Sequence, residues 1–347
     1  MRRILLVLFL VSVMLVASIG TAKAESILFP YIANTTGNLD TIITVINTAG
    51  SSVANQLYYQ YWTKAAGVTN ENVNACNAYS FYRPTTTNDI VTFAAGGNSP
   101  LGGGNAMFGD ATSYAVGVGA PNFAHGHGSG RFGYLVVALY NAGTTFISAA
   151  NNQLLDGEAS LYDIATGAMW GYRAVPSNVE AAAGTLTTNS YTFRGSVSAL
   201  SAAVEVPAMP KISVYPPNQF TGRLFVTPLL GASNNMLTDD NKITNVGLIF
   251  ATGRPGMFDR NEASVDSGGP IAVRCVARID VTNLVGGAIG PLSSTGMLYT
   301  QGGWAYVDLI DSAIVGDAIV YDLKFGNVTG MSGMVNDGKL LLDWAAR

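Results

Sequence analysis

Charge is scarce in this chain. Lys, Arg, Asp and Glu supply 12% of its 347 residues, about half the usual share. After the first 24 residues no Lys/Arg cluster occurs. Without Arg2, Arg3 and Lys23 the balance is 15 basic against 22 acidic residues, so 15 − 22 = −7. Nucleic acid and anionic membrane faces are therefore poor partners, because both depend on pairing phosphates with cations. Histidine is limited to His125 and His127, and cysteine to Cys76 and Cys275. No C-x-x-C is present, which argues against a cysteine metal site. P-loop, dinucleotide and G-x-S-x-G signatures are missing too.

Long apolar runs are missing after the N-terminus, so no transmembrane helix is expected in the mature chain. The one run present, Ile4 to Ala17, follows Arg2-Arg3 and precedes Ala22-Lys23-Ala24. It is short for a bilayer span and ends on small residues. Residues 1–24 therefore read as a cleaved signal peptide, with the mature chain starting at Glu25. The expected location is secreted, at the cell surface or extracellular, with the periplasm as the other compartment export allows.

Helical patterns are nearly absent; Ser198 to Val206 is the only candidate. What is present is many short β-branched or aromatic runs cut by Gly, Asn, Asp and Pro. Thr41–Ile46, Leu57–Trp62, Gly133–Tyr140, Arg223–Val226, Val246–Phe250, Ile271–Arg274 and Ala318–Tyr321 all read as strands. Gly133–Tyr140 is apolar throughout, as in a strand buried on both faces. The 40 glycines suit the turns such a fold needs. The fold class expected is all-β, as β-sandwich-like units. An outer-membrane barrel is disfavoured, since the last residues lack the terminal aromatic such barrels usually carry.

Two stretches repeat without a gap. Gly157-Glu158-Ala159-Ser160-Leu161-Tyr162-Asp163 matches Gly316-Asp317-Ala318-Ile319-Val320-Tyr321-Asp322, each with a Gly four residues on. A strand carrying an aromatic, then an acidic turn, explains the pattern. Gly133-Tyr134 precedes the first copy as Gly303-Trp304 precedes the second, and Leu28-Phe29 pairs weakly with Leu224-Phe225. Two tandem related domains, 25–195 and 196–347, follow from this duplication. The Pro- and Ala-rich residues 175–215 form the boundary.

The cysteines lie 199 residues apart, near the repeat spacing, and could hold equivalent positions in the two domains. Two readings stand: a small buried hydrophobe in each core, or a disulfide between Cys76 and Cys275, which export permits.

Asp266-Ser267-Gly268-Gly269-Pro270 resembles the nucleophile signature of trypsin-like serine proteases, with Val265 where that family has Gly. The resemblance implies Ser267 as nucleophile, His125 as base and Asp163 as orienting acid, in the order that family uses. It covers five residues. His125 sits in a glycine-rich loop, and Asp163 already has an explanation as a repeat position. A turn is the plainer reading of 265–270. His125 and His127 would share a face if extended, but no third ligand lies near. Asp239, Asp240 and Asn241, and Asp259 and Glu262, sit in oxygen-rich loops suited to Ca²⁺ but lacking the spacing of a calcium loop. Tyr58, Tyr59, Tyr61 and Trp62 offer an aromatic sugar platform, or core packing with one exposed face.

Leu28-Phe29-Pro30-Tyr31, Thr41-x-x-x-Val45-x-Asn47-Thr48 and Gly133–Ala138 resemble exported, uncharacterised β-domain surface proteins of environmental bacteria. That resemblance implies a surface location and no defined chemistry. The function expected is a non-catalytic structural or adhesive surface protein, such as a subunit of a surface layer or filament that assembles with itself or other surface proteins. The alternatives are a polysaccharide- or calcium-binding module and, third, a serine hydrolase using Ser267. No cofactor other than Ca²⁺ is implied.

Overall fold

Strands dominate the computed structural model of the chain. It describes residues 26–34, 39–49, 56–96, 104–109, 122–141, 145–146, 154–163, 169–176, 211–230, 243–247, 256–265, 268–285, 295–309, 316–328 and 331–342. The proposed helix at Ser198–Val206, and residues 177–210 of the proposed boundary at 175–215, lie outside these residues; the boundary's two flanks are strand, Val175–Pro176 and Lys211–Val214. Among the described residues, no helix is long and apolar enough to cross a membrane.

The first half contributes β1 (Ser26–Asn34), β2 (Leu39–Asn47), β3 (Gln56–Ala65), β4 (Asn77–Pro84), β5 (Asp89–Ala94) and β6 (Ala106–Gly109). It continues with β7 (Arg131–Asn141), β8 (Thr145–Phe146), β9 (Leu155–Asp163), β10 (Met169–Arg173) and β11 (Val175–Pro176). The second half contributes β12 (Lys211–Val214), β13 (Phe220–Leu230), β14 (Ile243–Gly247), β15 (Met257–Asp259), β16 (Ser264–Val265) and β17 (Ile271–Arg274). Then come β18 (Ala277–Asp280), α1 (Met297–Gln301), β19 (Gly303–Tyr306), β20 (Asp308–Leu309), β21 (Gly316–Val328) and β22 (Met331–Leu342). Every strand pairing is antiparallel and stays within its own half.

Two sheets form the first half, in the orders β11-β1-β7-β3-β4 and β10-β9-β2-β5-β6. Their inner faces meet through Tyr59 and Phe93, at 5.9 Å between ring centres, and through Phe93 stacked on Phe123 at 4.7 Å. β7 is the central strand foreseen from its apolar run: Tyr134 to Leu139 are all 0% exposed. Its β-branched and aromatic residues fit a strand covered on both faces.

The second half repeats the order of hydrogen-bonded neighbours. Its β22-β21-β13-β18 corresponds to β10-β9-β2-β5. Its β12-β19-β15-β16 corresponds to β1-β7-β3-β4, and β20-β14-β17 continues the last three. The repeated sequence block falls on β9 and β21, each central in its sheet and followed by a hairpin partner. Asp163 sits opposite Leu39, and Asp322 opposite Leu224. Leu224 therefore corresponds to Leu39 of β2; the weak match to Leu28 of β1 was misplaced. Asp322 is not in a turn either. It lies within β21, 1% exposed and ion-paired to Lys324, because this strand runs on to Val328 past the aspartate whereas β9 ends at Asp163.

A glycine governs the same contact in both halves. A Cβ on Gly133 would lie 1.8 Å from the Trp62 carbonyl oxygen; one on Gly303 would lie 2.0 Å from that of Phe258. β7 presses on β3, and β19 on β15, closer than any side chain allows.

The first half's apolar core extends into the second half, which has a further cluster of its own around Leu224 and Val226. Phe225, Ile319, Tyr321 and Leu323 join the aromatic cluster of the first half. Tyr31 meets Phe225 at 4.3 Å and Trp170 meets Tyr321 at 5.0 Å between ring centres. The Thr227 hydroxyl donates to the Pro30 carbonyl.

Candidate functional site

The glycine-rich loop 122–130 places both histidines over the sheet of β3 and β4. Gly126 has φ +68, and a Cβ there would lie 2.6 Å from the Tyr79 ring, so the loop needs glycine to close down. His125 is 2% exposed. Its Nδ1 accepts the His127 backbone N–H at 3.1 Å. The proton is therefore on Nε2, which has no partner. Burial, then the charges of His127 and Arg131, push the His125 pKa down to about 4. His127 shares a hydrogen bond with Thr63 between Nδ1 and Oγ1 at 2.8 Å. Burial and Arg131 lower its pKa as well. Arg131 donates to the carbonyls of His127 and Thr63. Ile32, Asn34, Ala95 and Phe132 pack closely beside His125.

His125 is thus buried and neutral. Of the three side chains of the expected triad, it alone is among the described residues. Asp163 ends β9 opposite Leu39, with its side chain outside the description, and Ser267 lies outside the described residues. Gly268, next in the chain, bonds the Leu284 carbonyl in the second half.

Of the oxygen-rich loops, Asp239, Asp240 and Asn241 are outside the described residues. Asp259 Oδ1 accepts the backbone N–H groups of Asn261 and Ala263, at 2.8 and 3.1 Å. It closes the turn between β15 and β16, in which Glu262 takes φ +66. Among the described residues, no group of three or more His, Cys, Asp or Glu stands together.

Of the six expected aromatic and cysteine positions, all but Tyr58 are in the interior. Tyr59 and Tyr61 are 0% exposed and Trp62 is 8% exposed, so no platform forms from them. The outward aromatics are instead Tyr58, Tyr82 and Tyr140, from β3, β4 and β7. Tyr82 lies 4.9 Å from Tyr58 and 4.5 Å from Tyr140 between ring centres. Sequence reasoning missed Tyr82 and Tyr140 because three strands distant in sequence bring them together.

The best-defined polar cluster ties the halves to each other. Cys76 and Cys275 form a disulfide. They are not equivalent positions: Cys76 precedes β4, whereas Cys275 follows β17, on the strand pair that corresponds to β3 and β4. Beside the bridge, Arg278 grips Glu71 through two bonds of 2.8 and 3.1 Å. Burial alone would raise the Glu71 carboxyl, but its bonds to Arg278 outweigh that and hold it below the usual range. Lys64, 3% exposed, donates to the carbonyls of Asn72, Asn74 and Arg274. The loop 66–76 therefore clasps the second half by covalent, ionic and hydrogen bonds.

At the far side of the same sheet, β4 is an edge. Among the described residues it pairs only with β3, and six of its eight residues are exposed, with Tyr79 at 38% and Tyr82 at 42%. No family model, no curated protein and no solved structure matches the chain.

Proposed function

We propose that this chain is an exported, non-catalytic structural or adhesive protein of the cell surface that assembles with copies of itself or with other surface proteins. The observation that supports this reading is the combination of a stapled body with an exposed outer strand. The two halves are held by a buried disulfide and a two-bond ion pair. That suits a part that transmits force without deforming, and a disulfide suits an oxidising compartment. Among the described residues β4 is the outer strand of its sheet, and none of its exposed residues is Lys, Glu or Asp to discourage pairing. The expected signal peptide at 1–24 and the two tandem domains agree with it.

Light scattering with negative-stain microscopy on the exported chain, with and without calcium, tests this reading. Ordered polymers or sheets are expected. A monomer at every concentration reached would overturn it.

The Tyr58–Tyr82–Tyr140 row supports a second reading, a polysaccharide-binding module, because ring faces and phenol hydroxyls together suit sugars. Retention on a glycan array, lost in Tyr82→Ala, is its expected sign.

A further inference from the structure

Three tyrosines meet on one face of the sheet whose outer strand is β4. The register sets Tyr82 opposite Tyr58 and Tyr58 opposite Ala138, so these residues share a face. Tyr140 stands two residues from Ala138 on β7 and therefore joins them. The Tyr82 ring reaches over β3, the strand between. It lies 4.5 Å from Tyr140 and 4.9 Å from Tyr58 between ring centres. Tyr82 is 42% exposed, and the other two are half-buried. The phenol groups of Tyr82 and Tyr140 share a hydrogen bond. The Tyr58 hydroxyl is turned the other way and donates to the Gln60 side chain. Two phenol rings in contact, one of them open to solvent, are what oxidative phenol coupling needs. Tyr172 and Tyr321, a further close pair at 5.3 Å, are buried and out of reach of an external oxidant.

We propose that Tyr82 and Tyr140 are a modification site, joined within one chain as a dityrosine by hydrogen peroxide and a one-electron oxidant of the haem peroxidase class. Each phenol gives up one electron and one proton. The two phenoxyl radicals couple through ring carbons ortho to oxygen, and one carbon–carbon bond forms. The hydrogen on each coupled carbon then moves to its oxygen, which restores both phenols. The chain loses two hydrogen atoms in all, and one hydrogen peroxide takes them up to become two waters. The ring centres are already about as far apart as in two rings joined by a single bond, so the rings need only turn about their side-chain bonds. The disulfide between Cys76 and Cys275 suits the oxidising compartment this reaction requires. The link has a mechanical sense. Cys76 fastens the start of β4, which among the described residues pairs with β3 alone. A bond from Tyr82 to β7 fastens its end, so the outer strand can no longer peel away. Neither the assembly reading nor the sugar reading is needed for this.

Treating the exported full chain with hydrogen peroxide and a haem peroxidase tests this, in the parent, Tyr140→Phe and Tyr58→Phe. Phenylalanine keeps the ring packing and removes the phenol, so thermal melts should match the parent. Dityrosine fluorescence and mass spectrometry of proteolytic peptides are the readouts. The parent should give a fluorescent monomer lighter by two hydrogen atoms, with Tyr82 joined to Tyr140. Tyr140→Phe should lose most of that fluorescence, and Tyr58→Phe should keep it. Undiminished fluorescence in Tyr140→Phe, links found only between chains, or a parent that gains no link would each overturn the inference. All three outcomes leave the assembly reading standing, because it predicts polymers of the untreated chain.

Discussion

In the first half, the strand that carries Gly133 runs unbroken for eleven residues. In the second, its counterpart carrying Gly303 is split into β19 and β20. The same holds for β3, which β14 and β15 replace in two pieces. The interiors differ in kind as well. Tyr31, Tyr59, Tyr61, Tyr134, Phe29 and Phe93 fill the first, whereas Ile212, Leu224, Val226, Met257, Val273 and Leu298 fill the second. Order of pairing thus survives a change from aromatic to aliphatic packing and the breaking of three strands. The close glycine contact survives with it, because it depends on backbone approach and not on which side chains surround it.

The disulfide is the strongest link between the unequal halves, so its loss should separate them most. Cys76→Ser with Cys275→Ser is expected to cost about 5 kcal/mol on the chain-entropy argument for so long a loop. Denaturant unfolding should then show two transitions in place of one. A single unshifted transition would mean the shared aromatic contacts alone hold the halves.

Gly133→Ala and Gly303→Ala probe the one contact common to both. Each forces a methyl group onto a carbonyl oxygen and should destabilise its own half by about 3 kcal/mol. If only Gly133→Ala does so, the broken strands of the second half have room to yield.

Acid should act on the first half through His125. His125 has a folded pKa of about 4 against an ordinary value of 6.5. The neutral form is therefore the folded form, and its contribution is complete above pH 6.5 and is lost as pH falls towards 4. The loss is about 3 kcal/mol by pH 4. His125→Phe should flatten this part of a plot of melting temperature against pH; an unchanged slope would assign it elsewhere.

Glu71→Gln is the mildest. It leaves Arg278 partly unpaired at the junction and should cost about 2 kcal/mol, with less effect once the disulfide is already absent.

Much of this fold was legible. Thr41–Ile46, Leu57–Trp62 and Gly133–Tyr140 are strands because β-branched and aromatic runs have few other uses. The matched blocks at 157 and 316 were visible because both end up as central strands under similar constraints. Alternation, however, misjudged β3: Gln60 and Trp62 are buried along with Tyr59 and Tyr61, since both faces of that strand are covered. The pairing of Cys76 with Cys275 was left undecided for a plain reason. Which elements meet across 199 residues is set by tertiary packing, to which local pattern is blind. The His125 environment was hidden in the same way, since the burial comes from Tyr61 and Phe132, on other strands.

The bridge between Cys76 and Cys275 also divides the chain into lengths that tension can and cannot reach. If the molecule is pulled at its ends, the path runs from the first strands to Cys76, crosses to Cys275, and leaves through the last ones. The 199 residues of separation carry no tension while the bridge holds. Roughly 700 Å of extensible chain is thereby withheld. A protein anchored at one end and tugged at the other would give way a little and then stop, as a rope does at a knot.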